Sequence, residues 1–373
     1  MAQRTIGKIH ADEGAVTIVS RLFEQITLRE LTFSNRVWVS PMCQYSSTDG
    51  LPNDWHLMHL GQFAAGGAGL VLTEASAVTP DGRISPQDAG LWNDEQVTAW
   101  RRITDFVHAR GTKVGIQLAH AGRKASTFRP WGGSSGTVPA DEGGWESVGP
   151  DSRPFGYYAP ARPLSEDDVA QLPARFAASA RRAITAGFDV VELHFGHGYL
   201  VHQFYSPLSN SRTDAYGGIF EGRTRLAVEI AEAVRAEIGE AMPLFARISA
   251  SDWTEDGWQI EDSVRLSKLL KDSGVDLIDA SSGGNTPHPD IPVGPGYQAP
   301  FARQIREESG IPTAAVGMIT DPAQAEDIIA SGTADAVFLA RELLRDPHWP
   351  LRAAHALSAK AQWQPQYERA DWS

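Results

Sequence analysis

The chain has 373 residues, 42% hydrophobic and 21% charged, enough for one large globular core or two smaller ones. Its formal charge of -13 and pI near 5.3 exclude the basic footprint that nucleic acid or an anionic membrane surface needs, so neither is an expected partner. One cysteine, Cys43, rules out an internal disulfide, an iron-sulfur cluster and a Cys-rich zinc site. A cytoplasmic setting and a small-molecule partner follow as expectations. No apolar run approaches the ~20 residues of a membrane span.

Residues 1–20 read as a loose N-terminal extension. From Val37 the chain alternates short β-branched or apolar runs with helical patterns. The runs begin at Val37, Leu70, Lys113, Asp189, Pro243, Val275, Pro312 and Asp335. Between them, Val97, Trp100, Ile103, Phe106 and Val107 recur at helical spacing before Gly111, and Ser165 with Asp168 forms a capping-box pattern ahead of a segment that stops at Gly187. Eight strand-then-helix units without a composition break predict a single (β/α)8 barrel over residues 21–373. The rival doubly wound sheet lacks any glycine-rich dinucleotide or P-loop string. Two Gly- and Pro-rich stretches, 128–163 and 281–300, follow strands and read as long loops over the barrel's top face.

In such a barrel the chemistry collects where strands end. The fourth run closes on His194, His197 and Tyr199: two imidazoles that can donate to one developing oxyanion, and a phenol that still holds its proton at neutral pH. Cys43 and Tyr45 follow the first run, Gln117 lies late in the third and Arg247 late in the fifth. A buried arginine needs an anionic partner, and a planar one suits it. Gly317 and the pair Ala340 and Arg341 stand where barrels hold phosphate. A phosphorylated, ring-bearing cofactor would satisfy both requirements.

The stretches Ser40 to Ser46, Gln117 to Lys124, His194 to Leu200, Ser206 to Gly218 and Gly317 to Thr320 resemble the Old Yellow Enzyme family, closest to its bacterial branch of NADPH-dependent ene-reductases and xenobiotic reductases. The resemblance covers residues 20–373. It implies an FMN-containing barrel that takes hydride from NADPH or NADH and passes it to an activated alkene such as an enone, maleimide or nitroalkene. FMN would rest against Ser40, Pro41, Met42, Cys43, Ala75, Gln117 and Arg247, with its phosphate near Gly317, Ala340 and Arg341. Cys43 would touch the flavin and tune it. His194 and His197 would hold the substrate oxygen, Tyr199 would give the proton, and Tyr45 would line the pocket. Gln366 to Arg369 resembles the family's C-terminal arm, whose arginine enters a partner's site. Arg369 therefore implies a homodimer or a dimer of dimers.

The chemistry read from the residues agrees. Hydride reaching the β-carbon leaves charge on the conjugated oxygen, which two fixed N–H donors stabilise, and a neutral acid must protonate the α-carbon. The chain departs from the branch in having Phe195 and Gly196 between its histidines, Ala340 in place of glycine, and a long 128–163 loop. His56 and His59 read as hydrogen-bonded helix residues, with no metal site expected. Asp252, Asp256 and Asp262 read as solvated loop acids. Other flavin barrels, acting on RNA or on dienoyl-CoA esters, need a basic surface or several cysteines.

Overall fold

The computed structural model describes residues 20–372. Eight parallel strands close into a barrel in chain order: β1 (Val37–Val39), β2 (Leu70–Ala77), β3 (Lys113–Ala119), β4 (Val190–Phe195), β5 (Leu244–Ser249), β6 (Leu277–Ser281), β7 (Thr313–Val316) and β8 (Ala336–Leu339), with β8 pairing back onto β1. Each arises from one of the apolar runs read above. Strands covered by helices outside and side chains inside lose water on both faces, which is why they are continuous apolar runs and do not alternate. The single-barrel expectation holds.

Helices fill the outer ring. They are α1 (Asp54–Ala65), α2 (Asp94–His108), α3 (Glu166–Thr185), α4 (Leu200–Tyr205), α5 (Phe220–Ile238), α6 (Ile260–Asp272), α7 (Ala299–Ser309), α8 (Pro322–Ala330), α9 (Arg341–Arg345) and α10 (Trp349–Ala356). Their starts are chemically marked. Ser165 accepts from the Asp168 amide while the Asp168 side chain returns to the Ser165 amide, as the pattern predicted. Asn93 and Gln96 do the same for α2.

The barrel's lower interior is aromatic. Trp38 stacks on Phe245 at 5.6 Å and meets Phe338 edge-on at 5.5 Å. Below them an antiparallel hairpin, Ile26–Leu28 with Leu31–Phe33, pushes Phe33 to 4.8 Å from Trp38 and adds Leu28 to the same cluster. This plug was not predicted from the sequence. Of the expected N-terminal extension, only Ser20 lies within the described residues; it is buried and donates to Glu326 at 2.6 Å. The 128–163 stretch is an ordered excursion holding a short parallel pair, Val148–Gly149 with Arg162–Pro163.

Candidate active site

At the C-terminal ends of the same strands the aromatic interior gives way to polar side chains. The parallel register sets Gln117 opposite Glu192, and Arg247 between His194 and Asp279. With Ser40 these six residues are all buried. Gln117 donates to Glu192 Oε1 at 2.7 Å, and Arg247 donates through Nε to Asp279 and through Nη2 to Ser40 Oγ at 2.7 Å. The expectation that an external planar anion would balance Arg247 is therefore corrected: a guanidinium this deep needs a carboxylate already in the fold, and Asp279 supplies it.

Three polar groups of this belt stay unspent. Glu192 Oε2 and Asp279 Oδ1 are buried without a hydrogen-bond partner, and Arg247 Nη1 has none among the described residues. Burial, reinforced by Asp279, pushes the Glu192 carboxyl up against the pull of Arg247. Burial also raises Asp279, with Arg247 opposing. Buried polar atoms left open at a mouth are what a polar, planar ligand would complete.

His194 belongs to this belt, and His197 and Tyr199 follow it on the turn after β4. The rings of His194 and His197 are 5.1 Å apart, and those of His194 and Tyr199 are 5.0 Å apart. Burial, then the neighbouring cations, holds both imidazoles well below the usual range, so both are neutral. Their free nitrogens differ. The Gly196 amide donates to His194 Nδ1 at 3.4 Å, leaving Nε2–H as the donor. His197 Nε2 instead lies 2.7 Å from Ser281 Oγ, so the nitrogen left for a ligand is Nδ1. Burial raises Tyr199 well above an ordinary phenol, with Cys43 and Tyr45 adding, and the proton stays on.

Tyr45 and His197 both adopt left-handed backbone, φ 49° and 56°, and such outliers concentrate where a fold holds side chains for use. Cys43 is a half-buried free thiol, kept protonated by burial and by the carboxylates of Asp88 and Glu74. Ala75 pairs with Gln117 just past an irregularity in β2, and Pro41 and Met42, beyond the end of β1, are half-buried. From the 128–163 loop, Trp131 stands edge-on to Tyr45 at 5.6 Å, and Trp145, like Cys43, Tyr45 and Tyr199, packs against the small buried cluster that includes Ala75 and Ile84.

A separate cavity of about 500 Å³ opens beyond β7 and β8, lined by Gly317, Met318, Ala340, Arg341 and Tyr297 among others. Gly317 has φ 114°, and a Cβ there would come within 2.7 Å of Gln298 Nε2, so the position needs glycine. Arg341 is exposed and has no acidic partner among the described residues. A free cation beside open backbone amides suits a phosphate, and the unspent polar atoms of the belt suit a hydrogen-bonding ring. The residues present fit FMN.

Arg369 is exposed on the turn Pro365–Ala370, part of a tail held to its own chain by Tyr367 against His348 and Trp372 stacked on His355. It makes no ion pair with the described residues around the mouth. His56 does lie in a hydrogen-bonded helix start, accepting from the Asn53 amide at 3.0 Å and meeting Glu74 at 3.1 Å. Asp252 overturns its reading as a solvated acid. It is fully buried, receives Ser206 Oγ and the Trp258 amide, and stands 3.0 Å from His202. Glu192, Asp279, Ser281, Lys124 and His202 were also missed; only Lys124, in the Gln117 to Lys124 motif, carried a signal.

Comparison with known proteins agrees with this geometry. The family model for NADH:flavin oxidoreductases and NADH oxidases matches residues 21–360. An NADPH dehydrogenase of Geobacillus thermodenitrificans is 46% identical over 93% of this chain and 98% of its own. The solved Old Yellow Enzyme homologue of Zymomonas mobilis superposes with a TM-score of 0.75 at 27% identity, over 92% of this chain and 97% of its own. A 2-naphthoyl-CoA reductase matches with a TM-score of 0.81 at 24% identity, over 90% of this chain, which spans 52% of that longer one and shares its fold. The chain belongs to the NADH:flavin oxidoreductase / NADH oxidase family and is an FMN-dependent NAD(P)H oxidoreductase of the Old Yellow Enzyme type.

Proposed function

We propose that the enzyme is an ene-reductase, acting on alkenes activated by a carbonyl or nitro group, with His194 and His197 holding the acceptor oxygen and Tyr199 protonating the α-carbon. The observation that carries this reading is the convergence of a neutral imidazole, His197, and a proton-retaining phenol, Tyr199, on the neutral ring of His194, at 5.1 and 5.0 Å, beside the Gln117 and Arg247 belt. When bound, FMN supplies the two-electron chemistry between the nicotinamide and the acceptor. Ser40, Pro41, Met42, Cys43, Ala75, Gln117 and Arg247 would hold its ring, and Gly317, Ala340 and Arg341 its phosphate.

His194 Nε2–H and His197 Nδ1–H donate to the acceptor oxygen, and their pull grows as negative charge builds there. Being neutral in advance, they add no charge to the ground state. Tyr199 delivers its proton as that charge returns toward carbon, and its raised pKa keeps it loaded across the working pH range. Tyr45, Trp131 and Trp145 exclude water from one side of the pocket. Arg369 would complete a neighbouring subunit's pocket in a homodimer, and a single barrel domain in the cytoplasm remains the reading for the whole chain.

Turnover of cyclohex-2-enone and of a nitroalkene with NADPH tests the proposal, with D2O as solvent to trace the proton. Saturated products carrying deuterium at the α-carbon are expected. A protein that oxidises NADPH with quinones or oxygen but reduces neither alkene would sink it. Oligomeric state and the effect of Arg369→Ala on KM test the shared pocket.

A further inference from the structure

The turn that carries His197 and Tyr199 is one that local preferences would not keep. His197 and Gly198 are consecutive left-handed residues, φ 56° and 70°, and a Cβ at Gly198 would meet Gly284 O at 2.2 Å. Tertiary bonds hold it. The His197 amide donates to Ser249 Oγ at 2.8 Å, Lys124 Nζ donates to His197 O at 2.8 Å, and Gln203 Nε2 donates to Gly198 O at 2.7 Å. The remaining amide, between the two functional side chains, belongs to Gly198. It donates to His202 Nδ1 at 2.8 Å.

We propose that His202 is a positioning residue: by accepting the Gly198 amide through Nδ1, it fixes where His197 and Tyr199 point.

An amide nitrogen can only donate, so Nδ1 must offer its lone pair and the ring proton must sit on Nε2. Nε2 faces Asp252 Oδ1 at 3.0 Å, off the line of a straight hydrogen bond. Burial alone would raise Asp252, but His202, Ser206 Oγ and the Trp258 amide outweigh it and hold the carboxyl below its ordinary range. The ionised Asp252 therefore selects the tautomer that the turn needs. The imidazole plane is fixed as well, stacked on Tyr205 at 4.6 Å, which in turn packs on Trp258 at 4.4 Å. His202, Tyr205, Asp252 and Trp258 are all fully buried. Nothing in this assembly reaches the pocket. It acts only through the turn.

The inference rests on the reading that His197 holds the acceptor oxygen, and the test separates the two. Variants His202→Leu, His202→Asn and His202→Gln are compared with wild type and with His197→Ala, all FMN-loaded, with cyclohex-2-enone as probe. The readouts are KM and kcat with NADPH, and the infrared carbonyl stretch of the enone bound to oxidised enzyme, where no turnover occurs. His202→Asn places an amide oxygen where Nδ1 stood; His202→Gln places it where Nε2 stood. Loss of the held amide should raise KM about tenfold and abolish part of the carbonyl shift in Leu and Gln, with FMN content unchanged. Asn should stay within about threefold of wild type. If His197→Ala weakens the carbonyl shift while Leu and Gln leave it and KM at wild-type values, the positioning role is overturned. Should Leu fail to fold, equal behaviour of Asn and Gln overturns it too. If His197→Ala itself changes nothing, the oxygen-holding reading fails, and with it the ground for the proposal.

Discussion

Phe245 and Arg247 are two residues apart on β5, both point into the barrel, and they live in different chemistries. Phe245 belongs to the lower aromatic core, clustered with Trp38, Phe33 and Leu277. Arg247 sits one layer up, tied to Asp279 and Ser40, opposite His194 on β4 and within the field of the Glu192 carboxyl. The lower layer stabilises by excluding water. The upper layer loses solvation and regains it only through paired groups, some of which remain open to a ligand.

Substituting these two positions should give the largest and most different effects. Phe245→Ala leaves a cavity in a close-packed core and should cost about 3–5 kcal/mol of stability, read by chemical denaturation, while the protein that folds still binds FMN stoichiometrically. Arg247→Ala removes the only cation from a belt holding Asp279 and Glu192, with a similar cost of about 3–5 kcal/mol. In addition it should lose FMN, measured as flavin per protein after gel filtration. Equal FMN retention in both variants would erase the distinction between the layers.

Tyr199→Phe tests the upper layer where it meets substrate. Removing the proton donor while leaving the ring in place should lower alkene reduction by about 10²-fold or more, with NADPH oxidation by a quinone little changed. Comparing the two acceptors by steady-state kinetics separates proton delivery from electron supply. A parallel fall in both would place Tyr199 in binding.

The two layers also differ in how much of them the sequence displayed. All eight strands were legible because burial on both faces leaves an unmistakable apolar run, and the polar residues ending those runs were visible one by one. Pairing was not. That Asp279 meets Arg247 depends on β5 and β6 registering at those two residues, which the strands' composition does not encode. Asp252 looked like any loop acid because its burial comes from Trp258 and Ser206, which fold over it. The Leu28 and Phe33 plug lies in strands of three residues, too short to show a period. His197's left-handed backbone follows from Ser249, Lys124 and His202, none of them readable from the His-x-x-His spacing.

Acid should weaken the fold through its buried histidines, two of which stand in the upper layer. An unfolded imidazole takes up a proton near pH 6.5 that the folded site refuses, because burial depresses His194 and His197. The unfolded state then binds more protons, so stability falls as pH drops below about 6.5, by about 1.4 kcal/mol per pH unit for each such histidine. His59 and His120, held down to about 4 by burial, contribute over the window from about 6.5 to 4. Urea denaturation at pH 7 and 5.5 measures the difference, and His194→Gln should flatten it by one histidine's share.

The smallest effect expected isolates a single proton. Ser281 Oγ lies 2.7 Å from His197 Nε2 and 3.4 Å from Gln298 Oε1, and the shorter contact is the better place for the hydroxyl hydrogen. His197 then carries its own proton on Nδ1, the nitrogen left for the acceptor oxygen. Ser281→Ala removes that preference without altering charge, and Ser281→Thr keeps it. Nitrogen-15 spectra of the ligand-free holoenzyme should report an Nδ1–H tautomer in wild type and Thr, and a mixture in Ala. The associated rise in KM for an enone should be about three- to tenfold, the range of one neutral hydrogen bond. An Nε2–H tautomer in wild type would reverse the direction of the Ser281 bond, leaving His194 as the sole imidazole donor to the acceptor.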